Sequence, residues 1–235
     1  MDAARWHRWA GLAAVLGAIL AINLLAHFLD EPAQSFVVPV GALALVAAAR
    51  LCGLSWTELG LGRSTAGRGP RYAAAIVGLI AVAVAVGVAL PLTRSLFRNE
   101  AYDSIGPALF AALVIIPLVT AVPEELIFRG VLLGTWLRVA RPQIAIAGSA
   151  VTFGLWHVLS SLGLAASNAG MSDRLGGDTG AQVLGVLGAV VATTAAGLVF
   201  GWLRWYTGNL LAGVALHWAL NGFGAIGAAL AWQLS

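Results

Sequence analysis

The sequence contains seven apolar stretches of about 20 residues each, and they constrain the fold more than any other feature. A stretch of that length is what an α-helix needs to cross the hydrocarbon core of a bilayer. Helices are the expected elements, because every backbone polar group in lipid must be satisfied within its own segment. We therefore predict an all-α polytopic transmembrane bundle of about seven spans, with eight as the alternative. The predicted spans are 9–29, 36–53, 72–92, 106–128, 143–164, 181–203 and 209–232.

The loops between these stretches are short, which predicts a single transmembrane domain over residues 1–235. The first stretch is longer than the apolar core of a signal peptide, so we expect it to remain as an uncleaved span. The fourth span is expected to continue as helix to about Arg138. Pro123 lies inside this span and frees one backbone carbonyl, so a kink or local unwinding is expected beside Glu124.

The composition excludes several classes of protein. The chain is 60% hydrophobic and 10% charged, and all 13 basic residues are arginine. Apart from Arg129, these arginines lie in short loops and form no basic face, so no nucleic-acid partner is expected. The single cysteine, Cys52, excludes an intrachain disulfide and a cysteine-based zinc site. We expect a multi-pass protein in contact with lipid in the plasma membrane, and the absence of lysine favours a bacterial source.

The distribution of arginine predicts the orientation of the chain, since cytoplasmic loops are enriched in basic residues. With the N-terminus in the cytoplasm, nine arginines fall on the cytoplasmic side and three on the outer side. The cytoplasmic set is Arg5, Arg8, Arg50, Arg63, Arg68, Arg71, Arg138, Arg141 and Arg204, and the outer set is Arg94, Arg98 and Arg174. The longest outer loop is predicted over 166–180.

The fourth span carries two adjacent carboxylates and an arginine, Glu124, Glu125 and Arg129. Placing one ionisable group at the bilayer centre costs roughly 2.5–3.5 kcal/mol, so such groups indicate function. Glu125 and Arg129 are i,i+4 neighbours and are expected to form an ion pair. Glu124 is rotated by about 100° and has no cation one turn away. It is therefore the better candidate for a general base.

Two other spans carry polar groups at the same depth. Helical rise places Glu124 about 21 Å from Arg138, His157 about 22 Å from Pro142, and Asn221 about 21 Å from Thr207. His217 lies one turn from Asn221 on the same face. Three helices thus place their polar groups in one layer, which is expected to open toward the cytoplasm if it opens at all.

This set of groups is suited to hydrolysis of an amide bond. A carboxylate and a neutral imidazole that meet at one water molecule form a general base. A second histidine and an amide on one helix face can donate hydrogen bonds to a developing oxyanion. No serine or cysteine nucleophile is required. Phe153 lies one turn before His157 and is expected to pack against its ring.

The motifs resemble those of the CAAX-protease and bacteriocin-processing family of intramembrane glutamic endopeptidases, which includes the type II CAAX prenyl endopeptidases. The resemblance rests on three ordered motifs and spans about residues 50–225. These motifs are Glu124-Glu125-x-x-x-Arg129, Phe153-x-x-x-His157 and His217-x-x-x-Asn221, with Trp56-x-x-Leu59-Gly60-Leu61 as a weaker fourth element.

The resemblance implies a role for each residue in a metal-independent endopeptidase. It implies that Glu124 and His157 activate water and that His217 and Asn221 form the oxyanion hole. Glu125, Arg129 and Phe153 would support these groups. No cofactor is implied, and the substrate would be a peptide or protein, either free or anchored in the membrane.

Three alternatives stay open on the residues alone. Glu124, His157 and His217 form a His₂Glu set that is found in catalytic zinc sites, although no His-Glu-x-x-His motif is present. A non-proteolytic scaffold or immunity protein would need none of this chemistry. A proton-coupled transporter uses intramembrane Glu and His chains, but the repeats that are common in transporters are not seen here.

Overall fold

A computed structural model describes residues 3–62, 68–162 and 179–234. Seven long helices in this part of the chain have the length and composition to cross a membrane. We number them α1 to α7: α1 (Ala3–Phe28), α2 (Ala33–Leu51), α3 (Arg68–Ala89), α4 (Ile105–Leu137), α5 (Pro142–Ser160), α6 (Thr179–Thr207) and α7 (Leu211–Gln233). The prediction of an all-α polytopic bundle with seven spans is confirmed.

The boundaries differ from the predicted ones by a few residues. The first helix begins at Ala3, before the apolar stretch, and α4 runs for 33 residues to Leu137, as expected. The polar loop predicted at 166–180 falls almost entirely outside the described residues. The orientation with the N-terminus in the cytoplasm stays a prediction. We therefore call the two ends of the bundle the loop-52–62 end and the rim end, the latter formed by 91–102.

Helix α4 is continuous through Pro123, but much of it is wider than an α-helix. Two stretches, Ala111–Ala121 and Leu126–Leu132, are π-helical and flank the α-helical turn Val122–Glu125. Prolines at 117 and 123 remove two backbone donors from this helix, which favours such irregular hydrogen bonding. The expected unwinding beside Glu124 is therefore a widening of the helix, and the chain stays helical on both sides of the carboxylates.

Side chains from neighbouring helices bind carbonyl groups in both π-helical stretches. The indole of Trp218 in α7 donates to the carbonyl of Ala112 at 2.8 Å. Ser149 in α5 donates to the carbonyl of Phe128 at 3.0 Å. Buried carbonyls in an irregular helix need partners, so these two contacts stabilise the widened geometry.

Small residues let the helices around α4 approach closely. An added methyl group at Gly197 of α6 would lie 3.0 Å from the Cα atom of Ala150 in α5. At Gly154 of α5 it would lie 2.9 Å from the carbonyl oxygen of Val190 in α6. Helix packing in lipid depends on such close backbone contact. It brings α5 and α6 together as one wall of the bundle.

The described segment 52–62, which follows α2, joins three helices at one end of the bundle, and we call it the loop clamp. Arg138 at the end of α4 binds Glu58 at 2.7 Å, while Arg204 of α6 donates to the carbonyls of Thr57 and Glu58 at 3.2 and 2.8 Å. Gly60 has φ of 72°, and any Cβ there would collide with the Arg204 guanidinium. The carbonyl of Gly60 accepts a hydrogen bond from the amide of Leu210 at 3.1 Å, just before α7. The clamp therefore joins the ends of α4, α6 and α7.

Candidate active site

The two glutamates and the arginine of α4 are all buried. Glu124 is 7% exposed, and Glu125 and Arg129 are fully buried. The Arg129 guanidinium donates to the Glu125 carboxylate over 2.9 Å, so the expected ion pair is present. A pair of this kind offsets part of the cost of burying each charge.

His217 of α7 lies between both carboxylates. Its Nδ1 atom is 3.3 Å from Oε1 of Glu125, and its Nε2 atom is 3.8 Å from Oε2 of Glu124. Although the two glutamates are rotated apart on the helix, their side chains reach opposite nitrogens of one imidazole. We call these four residues, Glu124, Glu125, Arg129 and His217, the site cluster.

Several polar atoms of the site cluster have no hydrogen-bond partner among the described residues. They are Oε2 of Glu124, Oε2 of Glu125, and Nε and Nη2 of Arg129. Buried polar groups are almost always paired in folded proteins, so exceptions point to function or to a bound group. The cluster therefore retains hydrogen-bonding capacity that the protein itself does not use.

Aromatic rings surround the buried guanidinium. The Cζ atom of Arg129 lies 4.1 Å from the ring centre of Phe153 and 4.6 Å from that of Phe200. Phe200 also stacks on His217 with ring centres 5.3 Å apart and planes inclined by 17°. Cation–π contacts of this kind stabilise a charge in an apolar environment. The sequence analysis did not identify Phe200, because an aromatic residue in an apolar span carries no distinguishing signal.

His157 lies beside the cluster and bonds to its own helix. Its Nδ1 atom is 2.8 Å from the carbonyl of Phe153, so it must carry the proton that makes this bond. In the neutral ring Nε2 is then a free acceptor. The Phe153 ring contacts His157 at 4.7 Å and His217 at 6.0 Å, which confirms the expected packing of Phe153. Among the described residues Glu124 lies 3.8 Å from Nε2 of His217, within ion-pair distance, and makes no hydrogen bond to His157.

Asn221 lies one turn beyond His217 and lines a cavity of about 390 Å³. Its amide nitrogen donates to the carbonyl of His217 at 3.2 Å, which leaves its second N–H free for another acceptor. Thr120, one turn before Glu124, lines the same cavity together with residues of 96–102. The cavity thus lies toward the rim end. The expectation that the polar layer opens toward the end marked by Arg138, if it opens at all, stays a prediction.

Gly213 is a further residue that the sequence analysis missed. An added Cβ at this position would lie 2.7 Å from Oε2 of Glu125. Since Gly213 precedes His217 by one turn, it gives the Glu125 carboxylate room to pass against α7. In the sequence, Gly213 is marked only by its position four residues before His217, on the same face of the helix.

The zinc alternative requires at least three ligands around one position. Among the described residues no group of three His, Cys, Asp or Glu side chains is arranged to hold a metal ion. The set Glu124, His157 and His217 is therefore not assembled as a metal site in this geometry. The catalytic and supporting roles expected for the seven site residues stay predictions.

Fold and site together define a multi-pass helical membrane protein with a buried carboxylate–imidazole cluster. Residues 106–223, about half of the chain, match the family described as Type II CAAX prenyl endopeptidase Rce1-like. The chain belongs to this family of CAAX-type intramembrane proteases, and the expected relationship is confirmed. The match includes all three site motifs and excludes the weaker element at 56–61. No curated protein and no solved structure matches the sequence.

Proposed function

We propose that the chain is an intramembrane endopeptidase that hydrolyses peptide bonds with a water molecule activated by Glu124 and His157, independently of a metal ion. The observation that supports this most directly is the Glu124 carboxylate. It is buried and lies next to an imidazole inside a membrane-spanning helix, and one of its oxygens has no hydrogen-bond partner in the part of the chain that the structure describes. The cost of holding a carboxylate there favours a chemical role over packing.

In the proposed reaction Glu124 accepts a proton from water as the water oxygen bonds to the scissile carbonyl carbon. The free Nε2 of His157 orients the same water, since its Nδ1–H is occupied by the Phe153 carbonyl. When the carbon–nitrogen bond breaks, the proton held by Glu124 passes to the leaving amine. One glutamate thus acts first as general base and then as general acid.

His217 and Asn221 would stabilise the oxyanion that forms on the carbonyl oxygen. The Asn221 amide has one unused N–H, and Nε2 of His217 donates when the ring is protonated. A protonated His217 would also make the site cluster neutral overall, with two carboxylates balanced by His217 and Arg129. Burying a neutral cluster costs far less than burying a net charge.

Glu125, Arg129 and Phe153 would act as positioning residues. Glu125 accepts a hydrogen bond from Arg129 and lies within reach of Nδ1 of His217. It therefore fixes which nitrogen of that ring is directed toward the substrate. The substrate is a peptide or protein, either free or membrane-anchored, and the proposed location is the plasma membrane of a bacterium.

Peptide termini in membranes test the proposal. Membranes that contain the wild type, Glu124→Gln or the matched exposed variant Glu31→Gln are compared, each with and without a zinc chelator. We expect a set of termini that is lost in Glu124→Gln, present in Glu31→Gln and insensitive to the chelator. Loss with the chelator would favour a zinc site formed by Glu124, His157 and His217. If no terminus depends on Glu124, a non-proteolytic scaffold is the better explanation.

A further inference from the structure

The cavity beside Asn221 has a fixed rim that carries an arginine. Its volume of about 390 Å³ falls within the range of small-molecule and peptide pockets. Arg98, Asn99 and Tyr102 line it at the rim end, while Thr120 and Asn221 line it near the site cluster. A bound peptide could therefore contact Arg98 and the proposed oxyanion hole at the same time.

The rim segment is anchored to the ends of α3 and α7. Arg94 donates to the carbonyls of Val88 at 2.9 Å and Leu234 at 2.7 Å. Phe97 packs against Gly87 and Gly227, where an added Cβ would lie 2.7 and 3.3 Å from its ring. These contacts hold the rim against two helices, so Arg98 is presented from a rigid support.

Two contacts with Trp232 fix the position of Arg98. The guanidinium carbon lies 5.3 Å from the centre of the Trp232 ring. The indole N–H of Trp232 in turn donates to the carbonyl of Asn99 at 3.2 Å. A guanidinium stacked on an aromatic ring keeps its edge N–H groups available, and these bind carboxylates in pairs.

The Arg98 guanidinium contacts the Trp232 ring but pairs with no carboxylate among the described residues. Glu100 and Asp103 lie in the same segment, but none of the ion pairs among the described residues includes Arg98. Arg98 thus differs from Arg129 and Arg138, which both bind glutamate within the chain. A cation that is positioned but unpaired at the mouth of a polar cavity favours an anionic group on the ligand.

We propose that Arg98 binds a carboxylate of the peptide substrate and so sets the distance between that carboxylate and the bond that is cut. The inference rests on the proposed peptidase function. The carboxylate is either the C-terminus of the substrate or an acidic side chain near the cut bond. Arg98 would determine which substrates bind, whereas the site cluster would contact the reacting atoms.

Acylated peptides with four randomised C-terminal residues provide the probe. They are made as free acids, as C-terminal amides, and as amides with a fixed Asp or a fixed Asn. Binding is measured on detergent-solubilised Glu124→Gln protein, and cleavage on the wild type. Arg98→Gln is compared with Arg98→Lys, which keeps the charge, and with Arg141→Gln, an exposed arginine at the other end of the bundle.

We expect carboxylate-bearing peptides to be bound and cut about tenfold better than their neutral counterparts, as one charge-assisted hydrogen bond would provide. Arg98→Gln should remove this preference through KM and leave kcat within about twofold, whereas Arg98→Lys should keep most of it. Arg141→Gln should show the same preference for carboxylate-bearing peptides as the wild type. A preference for acids over amides identifies the C-terminus, and a preference for Asp over Asn identifies a side chain.

Two results would overturn the inference: equal binding of carboxylate and neutral peptides, or a preference that survives in Arg98→Gln. Failure of the proposed function has a different signature. If wild type cuts no peptide while Glu124→Gln still binds carboxylates through Arg98, the protein is a peptide-binding protein and the inference on Arg98 stands. Cleavage without any preference would leave the peptidase and remove the role of Arg98.

Discussion

The site cluster and the loop clamp both contain a glutamate–arginine ion pair, yet their surroundings differ. Glu125 and Arg129 have fully buried side chains, whereas those of Glu58 and Arg138 are 38% and 30% exposed. Glu58 also accepts hydrogen bonds from the amide and hydroxyl of Ser55, both at 2.7 Å. Within residues 3–62, 68–162 and 179–234, one buried nitrogen of Arg204 in the clamp has no hydrogen-bond partner, whereas four buried atoms of the site cluster have none. The clamp thus fits a structural role, and the cluster keeps bonding capacity for a substrate.

The largest expected effect is the difference in catalytic activity between a glutamate variant of the site cluster and one of the loop clamp. Glu124→Gln keeps the size of the side chain but removes its ability to accept a proton, so kcat should fall by about 10²- to 10⁴-fold. Glu58→Gln should leave kcat within about twofold. Turnover of a peptide identified from the membrane experiment provides the measurement. Equal losses in both variants would show that the clamp also contributes to catalysis.

Replacing the arginine of each ion pair should destabilise the folded protein by different amounts. Arg129→Leu leaves the Glu125 charge buried without its strongest partner, which costs about 3–5 kcal/mol. Arg138→Leu removes a partly exposed pair and should cost about 1 kcal/mol or less. Thermal unfolding of both variants in detergent measures the difference. Similar shifts in the unfolding temperature would contradict the distinction between the two pairs.

A smaller effect is expected where α7 passes the Glu125 carboxylate. Gly213→Ala would place a methyl group 2.7 Å from Oε2 of Glu125, and overpacking of this kind costs about 1–3 kcal/mol. Gly188→Ala in α6 is the matched control, because nothing lies within 4 Å of its added Cβ. We expect a lower unfolding temperature only for Gly213→Ala. Tolerance of alanine at 213 would mean that the carboxylate can move away without loss.

The smallest effect concerns acid stability of the loop clamp. The hydrogen bond from Arg138, together with those from Ser55, lowers the pKa of Glu58 from 4.5 to about 2. The folded-state pKa lies below the unfolded one, so this stabilisation is complete above pH 4.5 and is lost as the pH falls toward 2. Since the pair is partly exposed, its contribution should be about 1 kcal/mol or less.

Thermal unfolding of wild type and Glu58→Gln at pH 7 and pH 3 tests this contribution. Other carboxylates titrate in both proteins, so the difference between the two proteins isolates Glu58. The wild type should be more stable at pH 7, and the gap should narrow at pH 3. A gap that does not change with pH would show that the charge of Glu58 has no role in holding the loop.

The sequence predicted the parts of this structure that depend on regular periodicity. Apolar length predicted the seven spans, and helical spacing predicted both the Glu125–Arg129 pair and the shared face of His217 and Asn221. Spacing could not reveal that Glu124 and Glu125 reach the same imidazole. That contact depends on the position of α7 against the widened α4, which is a tertiary relationship.

The roles of other residues could not be predicted because their types are common in the apolar spans and at the span ends. Phe200 and Gly213 are an aromatic residue and a glycine among many in apolar spans, and only packing against the cluster distinguishes them. Arg204 was assigned to the orientation signal because it ends a span, yet it is 5% exposed and binds loop carbonyls. Spacing along the helices also could not reveal the cavity that Thr120 and Asn221 share with residues of the segment 96–102, since that cavity depends on how this segment packs against α3 and α7.

The loop clamp also restrains the relative movement of three helices at one end of the bundle. It ties the ends of α4, α6 and α7 through one short peptide, so these three helices share a fixed pivot at that end. A small tilt about such a pivot gives the largest displacement at the far ends of the helices, where the cavity lies. A change in the tilt of these helices would therefore displace the residues that line the cavity more than the carboxylates, which lie nearer the clamp.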